Sequence, residues 1–393
     1  MRIALVRGGN LNPWELANFD LPGHDVVAFG SRSGSFEAHG LPLGTRRLPS
    51  PDDALRHLPA LGRAAVRRFA GDVDHLVGLD RALRGFDIAH VAELATPYSH
   101  QALRARSEGA VSRVVATVWE NIALPARENA IVERRADAVA AGLDRCLAIS
   151  ERARLHLLFA GVPDERIEVI PMGVDLERFT PDETPRAAGP LRILCVSRLV
   201  AEKGVEDLVV AMRLLADRGV DARLTLVGEG PLRGRLPAMA ERLGVAGHVR
   251  LAGTIPYEQL PSMHRAHDVF VLASGPRTTW QEQFGFAVVE AMACGLPVLA
   301  GDSGSLDEVV GDRAQLVTPH HPPSLADALE ELAREAERRR ELGAANRRRA
   351  EARYDRREVS RRIASFYERA LAEPPRASSA SSASSRSPML RQS

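Results

Sequence analysis

The chain reads as α/β, with two doubly wound units, each a parallel sheet covered by helices on both faces. Short β-type runs alternate with longer helical stretches throughout, and a proline-rich break near the middle separates two similar sets of them. A length of 393 residues supplies two cores of ordinary size.

In the first half the runs are Ile3 to Val6, Asp25 to Phe29, Phe86 to His90, Arg113 to Val118, Arg145 to Ile149 and Ile167 to Ile170. The second half repeats the pattern with Arg192 to Val196, Arg223 to Val227, Val249 to Leu251, Val269 to Leu272, Pro297 to Ala300 and Gln315 to Val317. Between Phe179 and Pro190, three prolines and several small or polar residues interrupt any period and mark an interdomain linker. The expected plan is a domain over 1–178, the linker 179–190, a second domain over 191–360, a helix over 361–372 and a disordered tail over 373–393. That helix carries Phe366 and Tyr367 and is apolar enough to dock back on the first domain, while the arginine- and glutamate-rich stretch before it suits a solvated face.

A net charge of +1 gives no support for a nucleic-acid partner. Cys146, Cys195 and Cys294 lie in apolar settings without metal-ligand spacing and are expected as buried free thiols in a reducing compartment. Met1-Arg2 leads directly into a short apolar run and then Gly8-Gly9-Asn10, too short for a signal peptide or membrane span, so a cytoplasmic location is expected.

Of 52 basic residues, one is a lysine: Lys203, in Ser197-Arg198-Leu199-Val200-Ala201-Glu202-Lys203-Gly204. A lone ammonium among arginines marks a place where a compact point charge is useful. The strongest motif runs from Glu282-Gln283-Phe284-Gly285-Phe286 through Glu290 to Gly295-Leu296-Pro297-Val298, with two carboxylates eight residues apart. Were the interval mostly helical, they would be separated by roughly 12 Å. Paired glycosidase carboxylates stand about 5 to 9.5 Å apart. The spacing therefore favours two acids gripping separate hydroxyl-bearing parts of an elongated ligand, and a nucleotide sugar has such parts. A glycine at the helix start lets backbone N–H groups approach an anion.

The elements E-x-F-G-x-x-x-x-E-A-M-A-C-G-x-P-V and S-R-L-x-x-E-K-G resemble the C-terminal domain of retaining glycosyltransferases of family four, which share the two-domain GT-B fold. Ile170-Pro171-Met172-Gly173-Val174-Asp175, Val227-Gly228-Glu229-Gly230-Pro231 and Gly304-Ser305-Leu306-Asp307-Glu308-Val309 extend the resemblance, which is dense from about Ser150 to Gly311. It implies that Arg198 and Lys203 hold the donor diphosphate and stabilise it as it departs, with no cofactor and no metal. It further implies that Glu282 contacts the transferred sugar, that amides around Phe284, Gly285 and Phe286 cradle phosphate and sugar, and that Glu290 accepts hydrogen bonds from the ribose. Gly9, after the first strand, matches the glycine-rich loop that approaches the donor.

Two departures bear on the sugar pocket. Trp119 stands where many members carry a histidine, and a tryptophan cannot make the same contact; His90, at the end of a neighbouring strand, is either a partial substitute or a structural histidine, the commoner role at a strand end. The loop Ser274 to Gln281 is longer and brings Trp280 and Arg277 near Glu282, as a pocket wall or as a surface insertion. Asp72-Val73-Asp74 reads as a solvated helix start, His320-His321 as a loop, and the arginines between Arg63 and Arg84 as a surface helix that would also suit peripheral membrane contact.

The reaction expected from the resemblance moves a sugar from a nucleotide diphosphate donor to a hydroxyl of a metabolite, a saccharide or a lipid-linked sugar, with retention. A sugar phosphorylase on the same fold and an inactive nucleotide-sugar-binding partner are the rival readings. No G-x-G-x-x-G follows either first strand, which sets aside a dinucleotide oxidoreductase.

Overall fold

A computed structural model describes residues 1–34, 43–55, 74–123, 130–182 and 189–374. Two separate parallel sheets form its frame. The first contains β1 (Arg2–Gly8), β2 (Asp25–Ser31), β3 (Gly44–Leu48), β4 (Phe86–Ala92), β5 (Val111–Val118), β6 (Arg145–Ala148) and β7 (Ile167–Val169), in the order β3-β2-β1-β4-β5-β6-β7. The second contains β8 (Leu191–Val196), β9 (Ala222–Val227), β10 (Val249–Gly253), β11 (Val269–Leu272), β12 (Val298–Gly301) and β13 (Leu316–Val317), in the order β10-β9-β8-β11-β12-β13.

The strands are nearly continuous apolar runs because helices cover both faces. In β1 only Arg2 is exposed, and β11 and β12 are buried throughout. Each sheet reverses its winding direction once, between β1 and β4 and between β8 and β11, and the crevice at such a reversal is where open α/β sheets take ligands.

β3 has no counterpart among the strands expected from sequence. It is an edge strand, Gly-Thr-Arg-Arg-Leu, paired only with β2 and nowhere fully buried, so it lacks the apolar pattern that betrays its neighbours. The charged stretch from Ser324 resolves into three helices, Pro322–Arg334, Ala336–Arg353 and Arg356–Ala372. His321 caps the first of them, its Nδ1 accepting from Ser324 N at 3.1 Å.

The last helix crosses to the first sheet. Val174 and Asp355 form an isolated bridge at the crossing point, and Val359, Ile363, Phe366, Tyr367 and Ala370 are buried. Arg113 Nε donates to Ala370 O at 2.9 Å, tying the helix end to β5. Phe179 is also buried, its ring 5.7 Å from Tyr257 and 6.0 Å from His264, so the segment leading to the second domain starts from an anchored aromatic.

Asp72, Val73, Arg63, Arg67, Arg68, positions 183–188 and positions 375–393 lie outside the described residues. All three cysteines are free and buried, and burial pushes the Cys195 thiol up to about 11 and the Cys294 thiol up to about 12.

Candidate active site

The two winding reversals face each other across a cleft of about 690 Å³. From the first domain it is lined by Arg7 within β1, Asn10 and Asn12 after it, Glu93 after β4, and Trp119 after β5. From the second it is lined by Ser197, Arg198 and Lys203 after β8, and by Glu282 through Ala287.

Lys203 ends a short turn, Ala201–Lys203, that Gly204 closes with φ 65°. Its Nζ lies 2.5 Å from Glu282 Oε2 and 4.9 Å from the centroid of the Trp280 ring. Ser274 Oγ donates to the same Oε2 at 2.7 Å. With both side chains mostly buried, this is a desolvated pair in which each charge depends on the other. Arg198 differs: its side chain is 65% exposed and its only ion pair among the described residues is Glu202 at 3.5 Å, so its guanidinium is available to an incoming anion.

The helix Phe286–Ala293 begins at the cleft with Gly285 in the left-handed conformation, φ 82°. Glu282 therefore precedes the helix and only Glu290 lies on it. The interval between the two acids is helical only from Phe286, because Gly285 turns the chain ahead of it.

Phe284, Phe286 and Trp119 form an aromatic group across the domain boundary, with Trp119 6.5 Å from Phe284 and 6.0 Å from Phe286. Asn121 adds a polar tie, its Nδ2 donating to Glu282 O at 2.7 Å and to Ser305 Oγ at 3.1 Å.

Arg198, Lys203, Glu282, Phe284, Gly285, Phe286 and Trp119 thus come together at one cleft. Trp280 sits behind Lys203, in a tight turn where Arg277 and Trp280 exchange backbone hydrogen bonds of 2.7 and 3.2 Å, while Arg277 itself is exposed. Glu290 is buried one turn into its helix, 3.9 Å from His264 Nε2 and outside the lining residues. The neighbouring Tyr257 hydroxyl is pushed well up, first by burial and then by the Glu290 charge.

Gly9 turns away from the cleft, its N–H donating to Asp74 Oδ2 at 3.2 Å, and Asn10 and Asn12 present the loop instead. His90 requires a correction. Its ring is completely buried, with Nδ1 2.5 Å from the Tyr367 hydroxyl and Nε2 2.7 Å from Thr117 Oγ1, so it cannot replace a sugar-contacting histidine. Burial, then the Arg7 charge, holds its pKa well below the usual value. It is the anchor of the C-terminal helix.

Sequence reasoning passes over Arg7, Glu15 and Glu93. Arg7 Nε and Glu15 Oε1 form a buried ion pair of 2.7 Å in the cleft wall. An arginine inside the apolar run of β1 is the signal that could have pointed to it. Glu93 gives no such signal. Among the described residues, no group of three or more His, Cys, Asp or Glu side chains could hold a metal ion.

Two family models divide the chain. The model for Glycosyltransferase Family 4 matches residues 18–178, and that for Glycosyl transferases group 1 matches residues 177–349. A GDP-mannose-dependent α-(1-6)-phosphatidylinositol monomannoside mannosyltransferase of Mycobacterium tuberculosis is 33% identical over 271 residues, covering 64% of this chain and 68% of that protein. A putative colanic acid biosynthesis glycosyltransferase, WcaL, of Escherichia coli is 31% identical over 229 residues, 57% of this chain and 56% of that one. Among solved structures, Anabaena HepE in complex with UDP superposes with a TM-score of 0.75 at 20% identity, covering 94% of this chain and all of that one. That likeness establishes the GT-B fold.

Proposed function

The chain belongs to glycosyltransferase family four, and from that premise we propose that it moves a sugar from a nucleoside diphosphate donor to an acceptor hydroxyl, with retention at the anomeric carbon. The observation that carries this reading is the convergence of Arg198, Lys203, Glu282 and the start of the helix Phe286–Ala293 on one interdomain cleft.

A diphosphate entering the cleft meets the exposed Arg198 guanidinium first. It then competes with Glu282 for Lys203, and the Glu282 carboxylate is released toward sugar hydroxyls. As the bond between sugar and phosphate breaks, negative charge grows on the leaving group, where a fixed guanidinium and ammonium stabilise it in a water-poor site. Charge neutralisation is assigned to these two cations and the helix start, with no cofactor in the scheme. A donor phosphate oxygen takes the acceptor proton on the same face. Glu290 is assigned to the ribose, which it would reach from beneath the helix start.

The names of the M. tuberculosis relative and its counterparts support GDP-mannose as the first donor to test and a lipid-linked or saccharide acceptor. No described helix is long and apolar enough to cross a membrane. Cytoplasmic placement is part of the proposal and is supported by three free buried thiols.

A thermal-shift panel of GDP-mannose, UDP-glucose, ADP-glucose, a thymidine diphosphate sugar and inorganic phosphate tests the donor class. Protection by a nucleoside diphosphate sugar and none by phosphate is the expected result. Protection by phosphate alone would favour a phosphorylase. NMR of the product then decides between retention and inversion.

A further inference from the structure

The first domain presents one residue to the cleft in a backbone conformation unusual for its type. Glu93, directly after β4, has φ 63° and is one of two non-glycine residues in the left-handed region among those described. A side chain rarely occupies that region unless its surroundings impose it, and such positions concentrate at functional sites. Four hydrogen bonds impose it here. Glu93 N donates to Thr117 O at 3.0 Å, and Ser99 Oγ donates to Glu93 O at 2.8 Å. The amides of Trp119 and Glu120 both donate to Glu93 Oε1, at 2.8 and 3.2 Å. Both amide bonds fall on Oε1, so the carboxyl is locked by one oxygen while Oε2 receives neither.

The charges around it are anionic or already committed. Glu120 and Glu15 act on it as like charges. Arg7 is bound to Glu15, and Arg135 donates to Ala95 O at 3.0 Å. Tyr98 lies within reach of the charges of both Glu93 and Asp74. Burial is the main cause that raises the Glu93 carboxyl, to about 7; the Trp119 and Glu120 amides pull against it and the two glutamates add to it.

We propose that Glu93 holds the acceptor, accepting a hydrogen bond from a hydroxyl beside the reacting one on the carboxylate oxygen that the Trp119 and Glu120 amides leave, on the wall that faces the Lys203–Glu282 pair. This rests on the transferase reading above and names the group that aims the second substrate, an alcohol of the saccharide or polyol class. In the transfer, the acceptor oxygen bonds to the anomeric carbon, the bond from that carbon to the donor phosphate breaks, and the acceptor proton passes to the departing phosphate oxygen. Glu93 orients the reacting hydroxyl through its neighbour, takes no proton, and ends the cycle in the protonation state in which it began. An ionised carboxylate accepts that hydrogen bond and a protonated one presents a competing donor, so use of the acceptor rises with pH through neutrality.

The test compares the full chain with Glu93→Gln, using GDP-mannose and UDP-glucose as donors and n-octyl α-D-mannopyranoside as the acceptor probe, from about pH 5.5 to about pH 8.5. Where the wild type does not use the glycoside, donor hydrolysis is read in the same way, one O–H of the attacking water held by Glu93 and the other directed to the departing phosphate. Glutamine keeps a carbonyl oxygen for the two amides and turns an NH2 donor toward the acceptor. Donor-induced thermal shift is expected to stay as in the wild type. kcat/KM for the acceptor, or the hydrolysis rate, should fall at least about tenfold and lose its inflection near neutrality. Glu93→Gly, which suits the left-handed backbone, serves as the second variant and should show the same loss. Wild-type turnover with an unchanged rate and inflection in both variants overturns the role of Glu93 alone. A wild type that neither binds nor turns over either donor overturns the transferase reading and this inference with it.

Discussion

At the scale of single residues, the decisive group is Lys203, because the cleft holds it already paired and mostly buried against Glu282. Lys203→Ala should lower donor turnover at least about a hundredfold, roughly 2.7 kcal/mol of barrier, in steady-state assays. The same change strands the Glu282 carboxylate, so unfolding should become easier by about 3 kcal/mol, recovered in large part by the double variant Lys203→Ala with Glu282→Gln. Lys203→Arg is not conservative, since a planar fork cannot occupy the point-charge position between Glu282 and the Trp280 ring. Glu93 adds a pH signature to stability. It titrates near its ordinary value when unfolded and near 7 when folded, so the stability tied to its proton is complete below about pH 4.5 and is lost as pH rises through 7. Glu93→Gln should therefore melt above the wild type near pH 8, with the gap closing toward pH 5 in a series of thermal melts. The motif residues were legible because their types and spacing are unusual. Glu93 was hidden because its distinguishing property, a left-handed backbone, leaves no mark in the sequence.

At the scale of elements, the cleft depends on turns whose glycines admit no Cβ. A Cβ on Gly204 would stand 2.0 Å from Ala273 O, and φ there is +65°, so Gly204→Ala should destabilise by more than about 2 kcal/mol in urea melts and displace Lys203. The helix Arg356–Ala372 is the second dependent element. Tyr367→Phe removes the partner of His90 Nδ1 inside the fold and should cost about 1 to 2 kcal/mol. The apolar pattern of Ile363 to Leu371 indicated a docking helix, yet nothing in it named His90 as the receiving residue. That pairing spans 277 positions and exists only once β4 is folded. β3 was missed for a comparable reason: an edge strand of polar residues is formed by its neighbour's unpaired amides, not by its own periodicity.

At the scale of the whole molecule, alternation of strands and helices was enough to give two doubly wound sheets, since parallel strands buried on both faces must be short and apolar. Which residues meet across the gap was less legible, because contacts such as Asn121 to Glu282 O join elements 161 positions apart. Loss of that contact in Asn121→Ala should raise the donor KM while costing about 1 kcal/mol of stability, measured by initial rates beside chemical denaturation. The central claim is that a donor diphosphate replaces Glu282 as the partner of Lys203. A crystal structure of the chain with a nucleoside diphosphate tests it most directly: the phosphate oxygens are predicted to lie within hydrogen-bonding distance of Lys203 Nζ and the Arg198 guanidinium, with Glu282 released. A diphosphate bound elsewhere, with the Lys203–Glu282 pair undisturbed, would contradict the account.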